Sequence, residues 1–172
     1  MKKIFLFLFI TAINVCSKAQ IAKDYTFSGG IEMAYAVGNF HSAHTLGFGL
    51  SAQSEYLFSD NASLTVKAAY ISFATKSVYD TVPAGIVERK LPAFSFIPVV
   101  IGMKIYNDKN FYVQPEVGIV FRLNGSDHIS ASYGLAIGVI KSRHTDFSVR
   151  YQALHKKGTV ASFFGLRTAY IF

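Results

Sequence analysis

The chain has no tryptophan, a single cysteine (Cys16) and four prolines among its 172 residues. Charge is also scarce: Asp, Glu, Lys and Arg make up 16%, where an ordinary soluble domain carries about a quarter. Beyond residue 20 no apolar run reaches the 18 or so residues that a spanning helix needs. Yet hydrophobic residues make up 51% and aromatics 15%, with a mean hydropathy of +0.32. That composition excludes an intrinsically disordered chain. The length suits one domain plus a processed segment and argues against a multidomain enzyme. The hydrophobicity is therefore finely divided rather than blocked, and its distribution is what has to be explained.

The one apolar block is N-terminal. Lys2 and Lys3 precede an apolar stretch from Ile4 to Val15, followed by the small residues Ser17 and Ala19 around Lys18. This is the three-part pattern of a secretory signal peptide, with cleavage expected after Ala19, so 1–19 is read as signal peptide and 20–172 as the mature domain. An anchor helix is the alternative, but Thr11 and Asn14 interrupt a stretch already short for spanning. Lipidation at Cys16 is a second alternative, opposed by Val15 where a small residue is expected. Cleavage after Ala19 leaves no cysteine, hence no disulfide, thiolate nucleophile or Cys-ligated metal. It also removes Lys2, Lys3 and Lys18, lowering the formal charge from +7 to +4. The remaining basic residues are scattered, with Arg89-Lys90 and Lys156-Lys157 the densest pairs, so no nucleic-acid partner is expected.

From residue 24 onward the hydrophobic period is two, the signature of strands. Eight segments are predicted: 25–38, 46–58, 63–76, 94–106, 111–124, 130–142, 147–156 and 161–172. Each matches or slightly exceeds the 9–11 residues with which a tilted strand crosses a bilayer. Short polar turns at 59–62, 107–110 and 143–146 alternate with longer connections at 39–45, 78–93, 125–129 and 157–160. That asymmetry, with an even strand count, predicts an all-β, eight-stranded antiparallel up-and-down transmembrane β-barrel with both termini on the short-turn, periplasmic side.

Period two alone does not say which face is inside. In 111–123 one face is Phe111, Val113, Pro115, Val117, Ile119, Phe121 and Leu123. If that face filled a soluble calyx, the opposite face would meet water and be rich in Lys, Glu, Asn and Thr. Instead the opposite faces carry Gly30, Ala34, Gly47, Gly49, Gly102, Gly118, Gly134, Ala136 and Gly138, small residues suited to a narrow lumen. The apolar face then meets lipid. Phe58, Phe111, Phe147, Tyr170 and Phe172 fall at short-turn ends, where an interfacial girdle lies. Among the small residues stand Glu32, Glu55, Lys67, Lys104, Glu116, Arg122, Arg150 and Arg167. Buried charge demands partners, so these eight are expected to pair in the lumen. All but Glu32 and Arg122 sit close to the short-turn ends and should form a belt there. Filling the lumen is the first reading of this network; a narrow channel for ions or small solutes is the second.

Three stretches carry a resemblance: FSFIPVVIGMKIYNDKNFYVQPEVGIVFRL (94–123), FSVRYQAL (147–154) and RTAYIF (167–172). They resemble the small outer-membrane β-barrel proteins of Bacteroidetes-type bacteria, a porin family often described as PorT-like. The resemblance implies an integral protein of the Gram-negative cell outer membrane, with membrane lipid as its surroundings. It also implies insertion by the barrel-assembly machinery, which would read Tyr170 and Phe172 as the terminal signal. Arg167 departs from the glycine common in that signal. The motifs specify barrel and location, not activity.

Neither a catalytic site nor a cofactor is expected. RYQALHKKGT is similar to the strand of lipid A deacylases that carries a His with a closely following Ser, but Lys156 and Lys157 follow His155, so the nucleophile is missing. His41, His44, His128 and His155 fall at the loop end, and no carboxylate in the first loop completes a metal site. The connection 78–93 mixes Tyr79, Val82, Ile86 and Val87 with Asp80, Glu88, Arg89 and Lys90, which suits contact with an extracellular ligand or protein. The expected role is structural, adhesive or interaction-based, around a largely plugged polar lumen.

Overall fold

A computed structural model describes residues 24–75, 77–82, 85–90, 93–108, 110–123, 129–142, 144–156 and 159–172. Residues 1–23, where a signal peptide is expected, lie outside these residues. Ten strands follow in chain order: β1 (Tyr25–Val37), β2 (His44–Ser59), β3 (Ala62–Thr75), β4 (Ser77–Val82), β5 (Gly85–Lys90), β6 (Phe94–Asp108), β7 (Phe111–Arg122), β8 (Ile129–Lys141), β9 (Thr145–Lys156) and β10 (Thr159–Ile171). A short 3-10 turn, Gly38–Ser42, links β1 to β2. Eight strands close into an antiparallel barrel in the order β1-β10-β9-β8-β7-β6-β3-β2, while β4 and β5 form a separate hairpin.

Alternation drives this arrangement. Along β7, exposed Phe111, Pro115, Val117, Ile119 and Phe121 interleave with buried Tyr112, Gln114, Glu116 and Val120. Because the side-chain period is two, a one-residue slip would exchange these sets, and the register is fixed by that cost. Closure comes from β1 against β10, paired from Ser28 opposite Ile171 to Val37 opposite Ser162. The Phe172 N–H continues the seam, donating to the Phe27 carbonyl at 2.9 Å. No barrel strand is left with an open edge, so each backbone ladder is satisfied on both sides.

Short connections after β2, β6 and β8 gather at the end where residues 24 and 172 lie; the 3-10 turn and the hairpin stand at the other. The eight predicted segments correspond to the eight barrel strands. The segment 78–93 does more than connect: most of it is the β4–β5 hairpin, in register from Ser77 opposite Lys90 to Val82 opposite Gly85.

The interior is narrow enough that glycine is a packing requirement. Tyr112 on β7 lies directly opposite Gly138 on β8, and a Cβ on Gly138 would fall within the Tyr112 ring. Gly29, on the outer face, differs: its added Cβ would meet only the Phe172 ring at an ordinary 3.6 Å. Gly138→Val is therefore expected to displace Tyr112 and destabilise the barrel by about 1–3 kcal/mol, read as a lower urea midpoint, whereas Gly29→Ala should leave that midpoint nearly unchanged.

Candidate functional site

The lumen has two tiers. The lower one, toward the short turns, is polar. The Lys67 Nζ donates to both Glu116 oxygens, at 2.9 and 2.8 Å, and Gln114 adds a bond to the same carboxylate at 2.9 Å. Lys104 bridges Glu55 at 2.9 Å and Asp146 at 3.1 Å, with its ammonium 4.3 Å from the centre of the Tyr112 ring. Glu55 also accepts from Ser63 at 2.6 Å and from the Tyr106 hydroxyl. The Tyr112 hydroxyl donates to Asp146 at 2.6 Å. Arg167 spans three strands: its Nη1 reaches Asp146 at 3.3 Å, its Nε donates to Ser51 at 3.0 Å and its Nη2 to Ser28 at 2.9 Å. Glu32 sits 3.5 Å from Arg150 and 3.9 Å from Arg167.

Glu32, Glu55, Glu116 and Asp146 thus face Lys67, Lys104, Arg150 and Arg167, so the charges of this tier balance four against four. Neutrality matters in a confined site. An unbalanced set would leave a net charge out of water, at a cost of several kcal/mol. The residues also fill the space, since Lys67, Lys104 and Arg167 are at most 2% exposed.

Above this tier the lumen turns apolar. Ile71, Phe73, Phe96 and Phe163 are fully buried at 0% exposure, with Val120 and Leu154 beside them. Phe73 contacts Phe96 and Phe163 at ring-centroid distances of 6.0 and 5.6 Å. Phe40, from the 3-10 turn, inserts over them, 5.1 Å from Phe73 and 5.2 Å from Phe94. His44 packs on Phe40 at 4.6 Å. Edge, tilted and stacked ring contacts of this kind hold a close-packed cluster together.

The outer wall is the inverse. Leu50, Val117 and Ile31 are 66%, 64% and 60% exposed, within a continuous band of outward apolar side chains. Aromatics concentrate at both margins: Tyr25, Tyr56, Phe58, Phe111, Phe147, Tyr170 and Phe172 toward the short turns, and Tyr35, Tyr133, Tyr151 and Phe164 toward the loops. A patch this large in water would be an aggregation surface.

Seven of the eight residues singled out from sequence come together in the lower tier. Glu32, placed outside the belt, joins it through Arg150 and Arg167, because crossing the narrow lumen takes one long side chain. Arg122 lies apart from the belt, near the loop end, with its guanidinium 4.5 Å over the Phe94 ring. Asp146 was assigned to a turn and is instead 1% exposed within the network. Continuing the inward set Ser148, Arg150, Gln152 back by one step reaches it. The largely plugged polar lumen expected from sequence describes the lower tier, whereas the upper tier is built of phenylalanine. His41 and His44 are taken up by ring contacts with Tyr35 and Phe40; His155 is exposed, and His128 lies outside the described residues.

No protein-family model and no curated protein matches the chain in sequence. Solved structures match in fold. Ail, the attachment invasion locus protein of Yersinia pestis, superposes with a TM-score of 0.57 at 13% identity, over 87% of this chain and 98% of that one. The N-terminal β-barrel domain of Pseudomonas aeruginosa OprF gives 0.56 at 8% identity, over 87% and 98%. The outer membrane protein OprG from the same organism gives 0.51 at 11% identity, over 88% and 96%. The chain therefore has the eight-stranded fold of small outer-membrane barrels.

Pairing in the lower tier sets a test. Glu116→Gln leaves the Lys67 ammonium buried without its counter-charge and is expected to cost about 3–5 kcal/mol. The double variant Lys67→Met/Glu116→Leu, which removes both charges, should recover most of that loss in the same urea titration.

Proposed function

We propose that this chain is an integral outer-membrane barrel with a sealed lumen, serving a structural, adhesive or interaction role at the cell surface. The observation that carries the reading is the pairing of an apolar outer wall with an interior closed twice, by a neutral ion-pair network and by an aromatic plug. The outer wall fits a lipid environment: an apolar band flanked by two aromatic margins is how a barrel matches a bilayer and its interfaces.

In this reading 1–19 is a cleaved signal peptide, the short turns and both termini are periplasmic, and the loop end faces outward. Exposed Tyr170 and Phe172 at the seam strand suit an assembly signal read by the barrel-assembly machinery. The PorT-like assignment rests on the same terminal motif and on 94–123 and 147–154. The plug argues against the narrow-channel alternative, because an ion passing Phe73, Phe96 and Phe163 would lose its hydration with no polar group to replace it. Function then falls to the loop end, where the β4–β5 hairpin stands beyond the ring and could meet an extracellular ligand or protein. That a solved complex of Ail contains the heparin analogue sucrose octasulfate supports the view that this fold can present ligand-binding surfaces. The reading assigns the chain no enzymatic step and no cofactor.

Two measurements test it. The protein should stay with washed membranes in alkaline carbonate and migrate anomalously on gels until boiled; release by carbonate would favour a soluble periplasmic barrel. Refolded into planar bilayers, it should give a flat trace. Discrete conductance steps that change on Glu116→Gln or Arg150→Gln would establish the channel instead.

A further inference from the structure

Every barrel strand has a neighbour on each side, whereas β4 and β5 pair only with each other. The ring stops short of them. β2 meets β3 no further out than His44 opposite Thr75, β3 meets β6 no further out than Phe73 opposite Phe94, and β7 follows β6 past Arg122 opposite Phe96 to a Leu123 N–H that donates to the Ser95 carbonyl at 3.0 Å. The outer edges of β4 and β5 are thus the open strand edges among the described residues.

The two edges are defended unequally. Native sheets blunt an edge with proline, lysine or other charges. β5 carries three consecutive charged residues, Glu88, Arg89 and Lys90. β4 reads Ser77-Val78-Tyr79-Asp80-Thr81-Val82, with good strand formers and one charge. Its hydrogen-bonding pattern follows from register. Val82 faces Gly85 with two residues between them, and a two-residue connection closes on a pair that exchanges both backbone bonds. Pairs then alternate, so Val82, Asp80 and Val78 bond to β5, while Ser77, Tyr79 and Thr81 direct their N–H and C=O groups to the open side.

We propose that the outer edge of β4 is a docking site for an extended peptide segment of a second protein, which adds a strand through the backbone groups of Ser77, Tyr79 and Thr81. The proposal rests on the surface-interaction role argued above. Strand addition draws its affinity from main-chain bonds and suits partners of varied sequence. A second copy of this chain is the poorer occupant. Copies inserted in one membrane share an orientation, so two β4 strands would meet running parallel, the weaker ladder. A segment from another protein is free to run antiparallel.

The test uses the mature chain refolded in lipid nanodiscs. Its probe is a labelled peptide of alternating threonine and valine with lysine at each end. A second peptide of the same sequence is N-methylated at every amide, which removes the donors from both of its edges without altering side chains. The first peptide should bind and slow amide exchange at Ser77, Tyr79 and Thr81; the second should bind at least about tenfold more weakly. Tyr79→Pro, which removes one outward donor and none of the bonds to β5, should weaken the first peptide to a similar degree. The methylated peptide needs no variant, so its result stands even if Tyr79→Pro disturbs the hairpin. Failure to bind at millimolar peptide, equal binding of both peptides, or cross-linking of β4 to β4 between copies would overturn the proposal. A barrel retained in carbonate yet inert to the peptide defeats this inference alone; a barrel released by carbonate defeats the reading beneath it.

Discussion

Closure of eight strands is the constraint from which the other features descend. Pairing β1 with β10 removes the last open edges of the ring, and in lipid an unsatisfied backbone group would cost several kcal/mol. A ring of eight also fixes the bore, which is only wide enough for side chains. The inward face must then be mostly small, as at Gly49, Gly118 and Gly134, where added Cβ atoms would run into neighbouring carbonyls. Long side chains fit only if each lies across space that small neighbours have vacated. Tyr112 over Gly138 is the clearest case.

Within such a bore, charge is tolerated only in matched sets, and matching across the lumen does something the ladders do not. Ladder bonds join adjacent strands. Lys67 on β3 reaches Glu116 on β7, and Arg167 on β10 reaches Ser51 on β2, each passing over an intervening strand. Such crossings resist flattening of the ring. Their net contribution to stability is small, since desolvation offsets most of the Coulomb gain, while the cost of losing one partner is large. The network therefore specifies a geometry more than it adds stability. The phenylalanine tier fills its share of the lumen without that liability and places the ordinary hydrophobic contribution inside, where no lipid competes for it.

Most of the ring was legible in sequence because period two and turn chemistry are local signals. Faces carrying Phe111, Val117 and Ile119 against Gln114 and Glu116 sort themselves without knowledge of the neighbours. The misjudged residues are those whose role depends on contacts across the bore. Asp146 sits in a polar run, Arg143-His144-Thr145-Asp146, that reads as a turn, yet the strand begins at Thr145 and turns Asp146 inward. Phe73, Phe96 and Phe163 are apolar on strands whose outward faces are apolar too, so hydrophobicity alone could not separate plug from wall. Their parity does: each shares a face with Lys67, Lys104 or Arg167. Arg122, inward in parity but too far toward the loops to reach the belt, stays outside it as its place along the strand implies, and an aromatic face receives it.

This division leaves little of the barrel free to encode a specific task. The wall answers to its apolar surroundings, so its residues are exchangeable among hydrophobes of similar size. The lower lumen answers to charge balance and the upper lumen to packing, and a change in either is felt first as lost stability. Among the described residues, the β4–β5 hairpin, beyond the pairs His44 with Thr75 and Phe73 with Phe94, escapes these demands. There it keeps β-structure without closure, and β4 and β5 retain the open edges that the ring was built to eliminate. A ring that gives every strand a neighbour on both sides, yet carries a hairpin whose outer edges are open among the described residues, concentrates its capacity for recognition in that hairpin.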